Sequence, residues 1–170
     1  MFRVLVVALV LLAGCGVDRK AADQGMPDDF VGEVSYSNGS LPPPYHYEWR
    51  VEFDTGTARL EWTPGYEDAD TWTETVGLDE DTRRRLYDRL DATGLFEFEN
   101  SDDGMVGGPT AWATFEGTPD GHHDTGTLGT SEAGQDMRDE LVAATEQLFP
   151  ADVWAEMERK QSEWEERHPQ

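Results

Sequence analysis

The residues of this sequence best able to do chemistry are histidines and acids. His122-His123-Asp124 places two imidazoles beside a carboxylate, and His46 lies far upstream. Imidazole and carboxylate groups bind Zn²⁺ and related ions, but a site needs three or four such ligands. Neighbouring residues of a strand point to opposite faces of a sheet, so His122 and His123 cannot share one metal without a bend. We interpret these residues as surface turn residues and weak binding candidates, and no metal is expected.

A second acidic segment is Asn100-Ser101-Asp102-Asp103-Gly104. Oxygen ligands in a loop are what Ca²⁺ prefers, and Asn100, Asp102 and Asp103 supply them. The spacing does not match the twelve-residue EF-hand loop, and no glutamate stands at its last position. A solvated turn is the preferred interpretation, and these three residues are kept as weak binding candidates.

The chain is rich in aromatic residues, with six Trp and five Tyr. Aromatic rings exposed beside carboxylates could stack on wall sugars, which is one interpretation. The preferred one is that Trp49, Trp62, Trp72 and Trp112 fill the core of a sheet, because large aromatic side chains contribute most when buried.

Motifs for catalysis are missing from the sequence. It contains no G-x-S-x-G elbow, no H-E-x-x-H, no P-loop and no dinucleotide fingerprint. The only cysteine is Cys15, in the apolar segment at the start of the chain. We therefore expect a non-catalytic binding or scaffolding domain that needs no cofactor. The alternative is a hydrolase that cleaves wall glycan with a pair of acids, since 36 acidic residues offer many chance pairs.

The formal net charge of −23 limits the partners of the chain. Such a surface repels phosphate backbones, which argues against nucleic-acid binding. It also repels anionic lipid, so the folded domain should stand off a membrane surface. Self-repulsion favours a monomer, and the expected partner is an envelope protein or a wall polymer.

Period-two patterns predict most of the strands. Tyr45 to Phe53 alternates apolar and polar residues, and Ala58 to Trp62 returns after a turn at Asp54-Thr55-Gly56, which indicates a hairpin. Further strands are predicted at residues 30–36, 70–76, 95–98, 110–116 and 122–128.

Three helices follow from capping and spacing. Asp79 to Thr93 has an acidic start, and Gly94 follows as a left-handed stop. Its Arg83-Arg84-Arg85 run is interpreted as a solvated face paired with nearby acids, rather than as a docking site. Ser131 begins a helix to about Leu148, and Pro150 begins another. The tail from residue 158 to 170 is charged and is expected to fray, although Trp164 could dock.

The start of the chain resembles the signal of bacterial lipoproteins. Arg3 precedes an apolar run from Val4 to Leu12, and Leu12-Ala13-Gly14-Cys15 resembles a lipobox. The run is far shorter than the ~20 residues of a membrane-spanning helix. The resemblance implies cleavage after Gly14, a lipid on Cys15, and attachment to the bilayer through that lipid. The protein is then expected to be extracytoplasmic and anchored to the cell membrane.

The body of the chain also resembles a group of uncharacterised small lipoproteins of high-GC bacteria. The shared features are Pro43 to Tyr45, Gly94-Leu95-Phe96, Gly107-Gly108, and Pro150 with Val153-Trp154. The resemblance covers most of residues 30–157 and implies no activity.

The expected organisation is a signal peptide (1–14), a lipidated tether (15–28), one α+β domain (29–157) and a charged tail (158–170). The domain should contain a mostly antiparallel sheet of about six strands with two or three helices on one face.

Overall fold

The computed structural model describes residues 25–66, 70–99 and 107–169. The predicted signal peptide and most of the tether lie outside these residues, as do Asn100, Asp102 and Asp103.

The fold is built on one six-stranded antiparallel sheet. The strands are β1 (Val31–Ser37), β2 (Tyr47–Phe53), β3 (Thr57–Pro64), β4 (Trp72–Gly77), β5 (Thr110–Thr118) and β6 (Gly121–Asp124). Their order across the sheet is β4-β3-β2-β1-β5-β6, and each neighbouring pair is antiparallel. The first four strands form a meander, and the chain then crosses over to add β5 beside β1.

Three helices pack on one face of this sheet. They are α1 (Glu80–Ala92), α2 (Glu132–Thr145) and α3 (Ala151–Arg167). The α+β class, the antiparallel sheet and the three helices confirm the expectation from sequence. Within the described ranges, no helix is long and apolar enough to cross a membrane.

The ends of α1 follow the sequence signals. The Asp79 carboxylate accepts a hydrogen bond from the backbone N–H of Thr82 at 2.7 Å, which caps the first turn. Glu80 and Asp81 lie at the positive end of the helix dipole. At the other end Gly94 adopts a φ of 76°, the left-handed conformation that favours glycine.

The strand predicted at residues 95–98 is wrong. Leu95–Glu97 is a short 3₁₀ helix, and both Leu95 and Phe96 are buried. Two consecutive buried side chains do not fit a strand that exposes one face, because successive residues of such a strand alternate. The 3₁₀ helix instead places both side chains in the hydrophobic core, directly after the end of α1.

The arginine run on α1 divides between two roles. Arg84 pairs with Glu80 and Asp81 on the solvated face, as expected. Arg83 is buried instead, and its Nη1 donates hydrogen bonds to the carbonyl oxygens of Asp28 at 2.9 Å and Phe30 at 3.1 Å. It therefore ties the segment before β1 to the helix.

The expectation of a frayed tail after residue 157 is wrong for residues 158–167. Helix α3 continues to Arg167, and Trp164 is buried with its Nε1 donating to Asp70 at 3.2 Å. The indole lies over Gly65, where an added Cβ would come within 2.8 Å of the ring. Gln161 of the same helix accepts a hydrogen bond from Trp62 at 3.2 Å. The polar partners of these buried groups come from distant parts of the chain.

An aromatic cluster around Phe30 joins the sheet to α1. Phe30 is fully buried, and its ring centroid lies 5.0 Å from Tyr87, 5.4 Å from Phe53 and 5.8 Å from Phe115. These rings come from α1, β2 and β5. One side chain thus contacts three separate elements.

We expect Phe30→Ala to lower the free energy of unfolding by about 3–5 kcal/mol, because it leaves a cavity among rings that cannot all relax into it. Urea unfolding followed by circular dichroism measures the change. Tyr45→Ala is the matched control: this side chain is 53% exposed and should cost about 0.5 kcal/mol or less. Equal losses in the two variants would contradict the central role of Phe30.

Candidate functional site

The face of the sheet opposite the helices carries a polar groove. In β2, Trp49, Val51 and Phe53 are buried towards the helices, whereas Glu48, Arg50 and Glu52 alternate with them and are exposed. No described element packs over these exposed side chains. A groove of about 690 Å³ lies on this face. We call it the Trp112 groove; its lining includes Ser35, Ser37, Glu48, Arg50, Glu61, Thr63, Thr71, Thr110, Trp112 and Thr127.

Strand register lines up the groove residues in rows across the sheet. Arg50 pairs with Glu61 on one side and with Ser35 on the other, and Ser35 pairs with Trp112. A second row is Thr63, Glu48, Ser37 and Thr110. Because antiparallel neighbours on one face lie about 5 Å apart, the side chains of each row are in reach of one ligand.

Glu61 is held by two arginines. Its Oε2 accepts from Arg50 Nη2 at 2.6 Å and Nε at 3.1 Å, and its Oε1 lies 2.5 Å from Arg59 Nη2. The hydrogen bond from Arg50 is the main reason that the pKa of Glu61 lies below its ordinary value. The same bond raises the pKa of Arg50. This network fixes both charges in the floor of the groove.

Glu48 is connected to a buried histidine. His46 is 2% exposed, and its Nε2 lies 3.2 Å from Glu48 Oε1 while its Nδ1 lies 2.8 Å from the carbonyl oxygen of Gly39. The ring stacks on Tyr66 with centroids 3.9 Å apart. The two ring nitrogens thus contact one oxygen each, the carbonyl of Gly39 and the carboxylate of Glu48. His46 thereby orients Glu48, whose side chain remains 57% exposed.

The predicted alternation of residues 45–53 fails at its start. Tyr45 was expected on the buried face and His46 on the exposed one, but Tyr45 is 53% exposed and His46 is buried. The reason is that β2 begins only at Tyr47, after a turn in which Tyr45 N–H donates to the Pro42 carbonyl at 2.9 Å. Residues before a strand do not follow its period.

The prediction that Trp112 fills the core is wrong. It is 39% exposed on the groove face, while its neighbours Ala111 and Ala113 are buried. Trp49 and Trp62 are buried as predicted, and Trp72 packs partly buried against the core. The outward orientation of Trp112 could have been predicted from the alternation of Ala111, Ala113 and Phe115, because these three residues already define an apolar face of β5 without the tryptophan.

His122, His123 and Asp124 do not converge on one point in the structure. His122 is exposed and its Nδ1 lies 2.9 Å from Glu116, whereas His123 is half-buried with its ring against Phe96. Burial is the main reason that the pKa of His123 is lowered. The Asp124 carboxylate accepts from the backbone N–H of Gly126 at 2.8 Å, as a turn residue does. The two imidazoles thus lie on opposite faces of β6, as predicted for neighbours in a strand.

A second cavity of about 510 Å³ lies beside β6, lined in part by Phe98, His123 and Asp124. Over the described part of the chain, no group of three or more His, Cys, Asp or Glu side chains could hold a metal ion. The groove therefore offers the larger and better organised set of polar groups.

Comparisons with known proteins do not assign the chain to a family. No protein-family model matches the chain, and no curated protein matches its sequence.

The pairing of Glu61 predicts how acid affects stability. Its pKa is lowered in the folded state, so its pairing stabilises the fold above the unfolded-state pKa of about 4.5 and is lost as the pH falls through the lower folded-state value. We expect Glu61→Gln to lower the free energy of unfolding at pH 7 by about 1 kcal/mol or less, since Arg50 and Arg59 are partly solvated. The difference from the wild type should shrink below about pH 4.

Urea titrations at pH 7 and in acid measure this difference. Glu52→Gln is the control, because this acid is on the same face but lies 3.7 Å from Arg50 and should change stability less. A difference between the wild type and Glu61→Gln that is the same at both pH values would contradict the argument.

Proposed function

We propose that this protein is exported, lipid-anchored through Cys15, and binds a component of the cell envelope in the Trp112 groove without catalysis. The groove is the observation that carries the proposal. A sheet face whose polar side chains are fixed by an ion-pair network and which exposes the ring of Trp112 has the features of a recognition surface. The lipobox at Leu12 to Cys15 supports the location.

The ordering of the polar groups also supports binding. Arg50, Glu61 and Glu48 each have hydrogen-bond partners that set their positions before any ligand arrives. Preorganised groups lose less conformational entropy on binding than free side chains do. The groove can therefore recognise a ligand without rearranging its floor.

The hydrolytic alternative gains no support from this groove. A general acid for glycoside cleavage needs a raised pKa and a free oxygen near the bond that breaks. The pKa of Glu61 is lowered, and both of its oxygens face arginines. A binding role uses the same network without requiring a proton to move.

Anchoring through Cys15 is tested by Cys15→Ser. We expect the variant to leave the detergent phase of a Triton X-114 separation or to accumulate as uncut precursor, because a lipid supplies ~0.8 kcal/mol per buried methylene. The control Cys15→Ser/Ala21→Cys restores a thiol outside the lipobox and should not restore anchoring. Intact mass spectrometry of the wild type then measures the modification. An unmodified Cys15 behind an uncut signal would show that the chain is not a lipoprotein.

Binding through the groove is tested by Ser35→Tyr. Ser35 lies between Arg50 and Trp112 in the central row, so a tyrosine there should fill the groove. We expect the full-length protein, purified in detergent, to co-sediment with isolated envelope material, and Ser35→Tyr to bind at least about tenfold more weakly. Ser40→Tyr is the matched control, since Ser40 is exposed and outside the groove. Equal binding by Ser35→Tyr and the wild type, at equal melting temperatures, would remove the groove from the proposal.

A further inference from the structure

We infer that the ligand of the Trp112 groove is a glycan built of neutral or amino sugars, with Trp112 as the ring on which a sugar stacks. This inference rests on the proposed binding function and specifies its ligand class. The first observation is the setting of the indole. Trp112 is 39% exposed, and its same-face neighbours are small: Ser35 is its cross-strand partner, and Thr110 and Thr114 stand two residues away on β5.

Small neighbours leave the face of the ring accessible to a flat partner. A pyranose ring presents C–H bonds on one face, and these pack against the electron-rich face of an indole. An apolar ligand such as a lipid chain would need further apolar surface. The lining also includes Tyr36 and Trp49, but their rings stack on each other and Trp49 packs against Trp154 of α3, on the helix side. The other lining residues besides Trp112 are Ser, Thr, Glu and Arg. Among the described residues, the exposed ring of Trp112 is thus surrounded on this face by hydroxyl and charged groups, which suits a ligand that is polar at its edges.

The polar rows supply partners for those edges. Sugar hydroxyls both donate and accept, so they can bind a carboxylate and a guanidinium at once. Glu48, held by His46, offers a carboxylate in the row next to Arg50. From β3 to β5 the central row crosses three inter-strand gaps of about 4.8 Å, giving a track of about 14 Å from Glu61 to Trp112. This length accommodates a short run of sugar units.

The charge of the groove selects among glycans. Arg50 is the one cation among the described lining residues, and Glu61 is shared between Arg50 and Arg59. Four carboxylates, those of Glu61, Glu48, Glu33 and Glu52, therefore outnumber these two guanidinium groups. Glu48 adds a further negative charge, and Glu33 and Glu52 lie 3.9 Å and 3.7 Å from Arg50. Phosphate-bearing or uronic-acid polymers would be repelled by these carboxylates and by the net charge of −23. Uncharged sugars and protonated amino sugars meet no such barrier.

A basic peptide would complement the negative charge of the groove, but the groove does not offer the unpaired strand edge that peptides use. Peptides that bind sheets gain much of their affinity by adding a strand at an edge, where backbone groups are unpaired. The centre of the groove lies over β2 and β1, whose backbone groups already pair on both sides. A peptide over the middle of the sheet would therefore reach only side chains.

The test is an oligosaccharide array with neutral, amino and acidic sugars, probed with the full-length protein in a zwitterionic detergent that carries no sugar. Poly-lysine is included as the peptide probe. We expect binding to neutral or amino-sugar members and none to acidic ones. Trp112→Ala should weaken binding about tenfold through loss of the stacking contact, and Tyr45→Ala should not change it.

Ser35→Tyr gives a second variant that keeps the indole but fills the space beside it, and melting temperatures of all variants confirm that they fold. Binding to poly-lysine alone, to acidic glycans alone, or to no member would each overturn the inference. If envelope material still binds through the groove in any of those cases, the proposed function stands and only the ligand class is wrong. Glycan binding that is unchanged in both groove variants would also overturn it.

Discussion

The burial of one face of the sheet against three helices is the constraint on which the rest of the structure depends. In β2 a shift of register by one residue would turn Arg50 and its two glutamate neighbours into the core. Each unpaired charge would then cost several kcal/mol, so the register is strongly determined. The rows of the groove follow from this register. The Trp112 groove is thus positioned by the packing on the other side of the sheet.

The aromatic cluster around Phe30 and the buried Arg83 act on the same junction. Phe30 packs against rings from α1, β2 and β5, and Arg83 donates to the carbonyl oxygens of Asp28 and Phe30. A guanidinium can be buried here because backbone acceptors meet part of its hydrogen-bonding demand. The start of β1, the central strand beside the groove, is therefore held by apolar and polar contacts together.

Three of the few cations of this acidic chain, Arg50, Arg59 and Arg83, hold other groups in place. The chain has 13 Lys and Arg against 36 Asp and Glu, so there are too few basic residues to pair with most of the acids. Arg50 and Arg59 nevertheless converge on Glu61, and Arg83 is used inside the fold. We expect the surplus acids to keep the domain dispersed and away from anionic lipid. A lipid on Cys15, as proposed, would supply the membrane attachment that this surface cannot.

Local signals in the sequence determined the class of fold and several elements. The β2–β3 hairpin, the capped α1 with its glycine stop, and the later helices follow from periodicity and capping, which act over a few residues. The opposite orientations of His122 and His123 follow from the geometry of a strand alone.

Tertiary structure decided the groove and the exceptions. Trp112 faces outwards because Ala111, Ala113 and Phe115 occupy the helix side, and composition alone does not indicate which face of β5 meets the helices. His46 is buried among Gly39, Glu48 and Tyr66. Helix α3 continues to Arg167 because Trp164 packs over Gly65 and donates a hydrogen bond to Asp70. These outcomes depend on contacts between residues far apart in the chain. Periodicity reports that a face is apolar, whereas only the assembled fold determines what covers it.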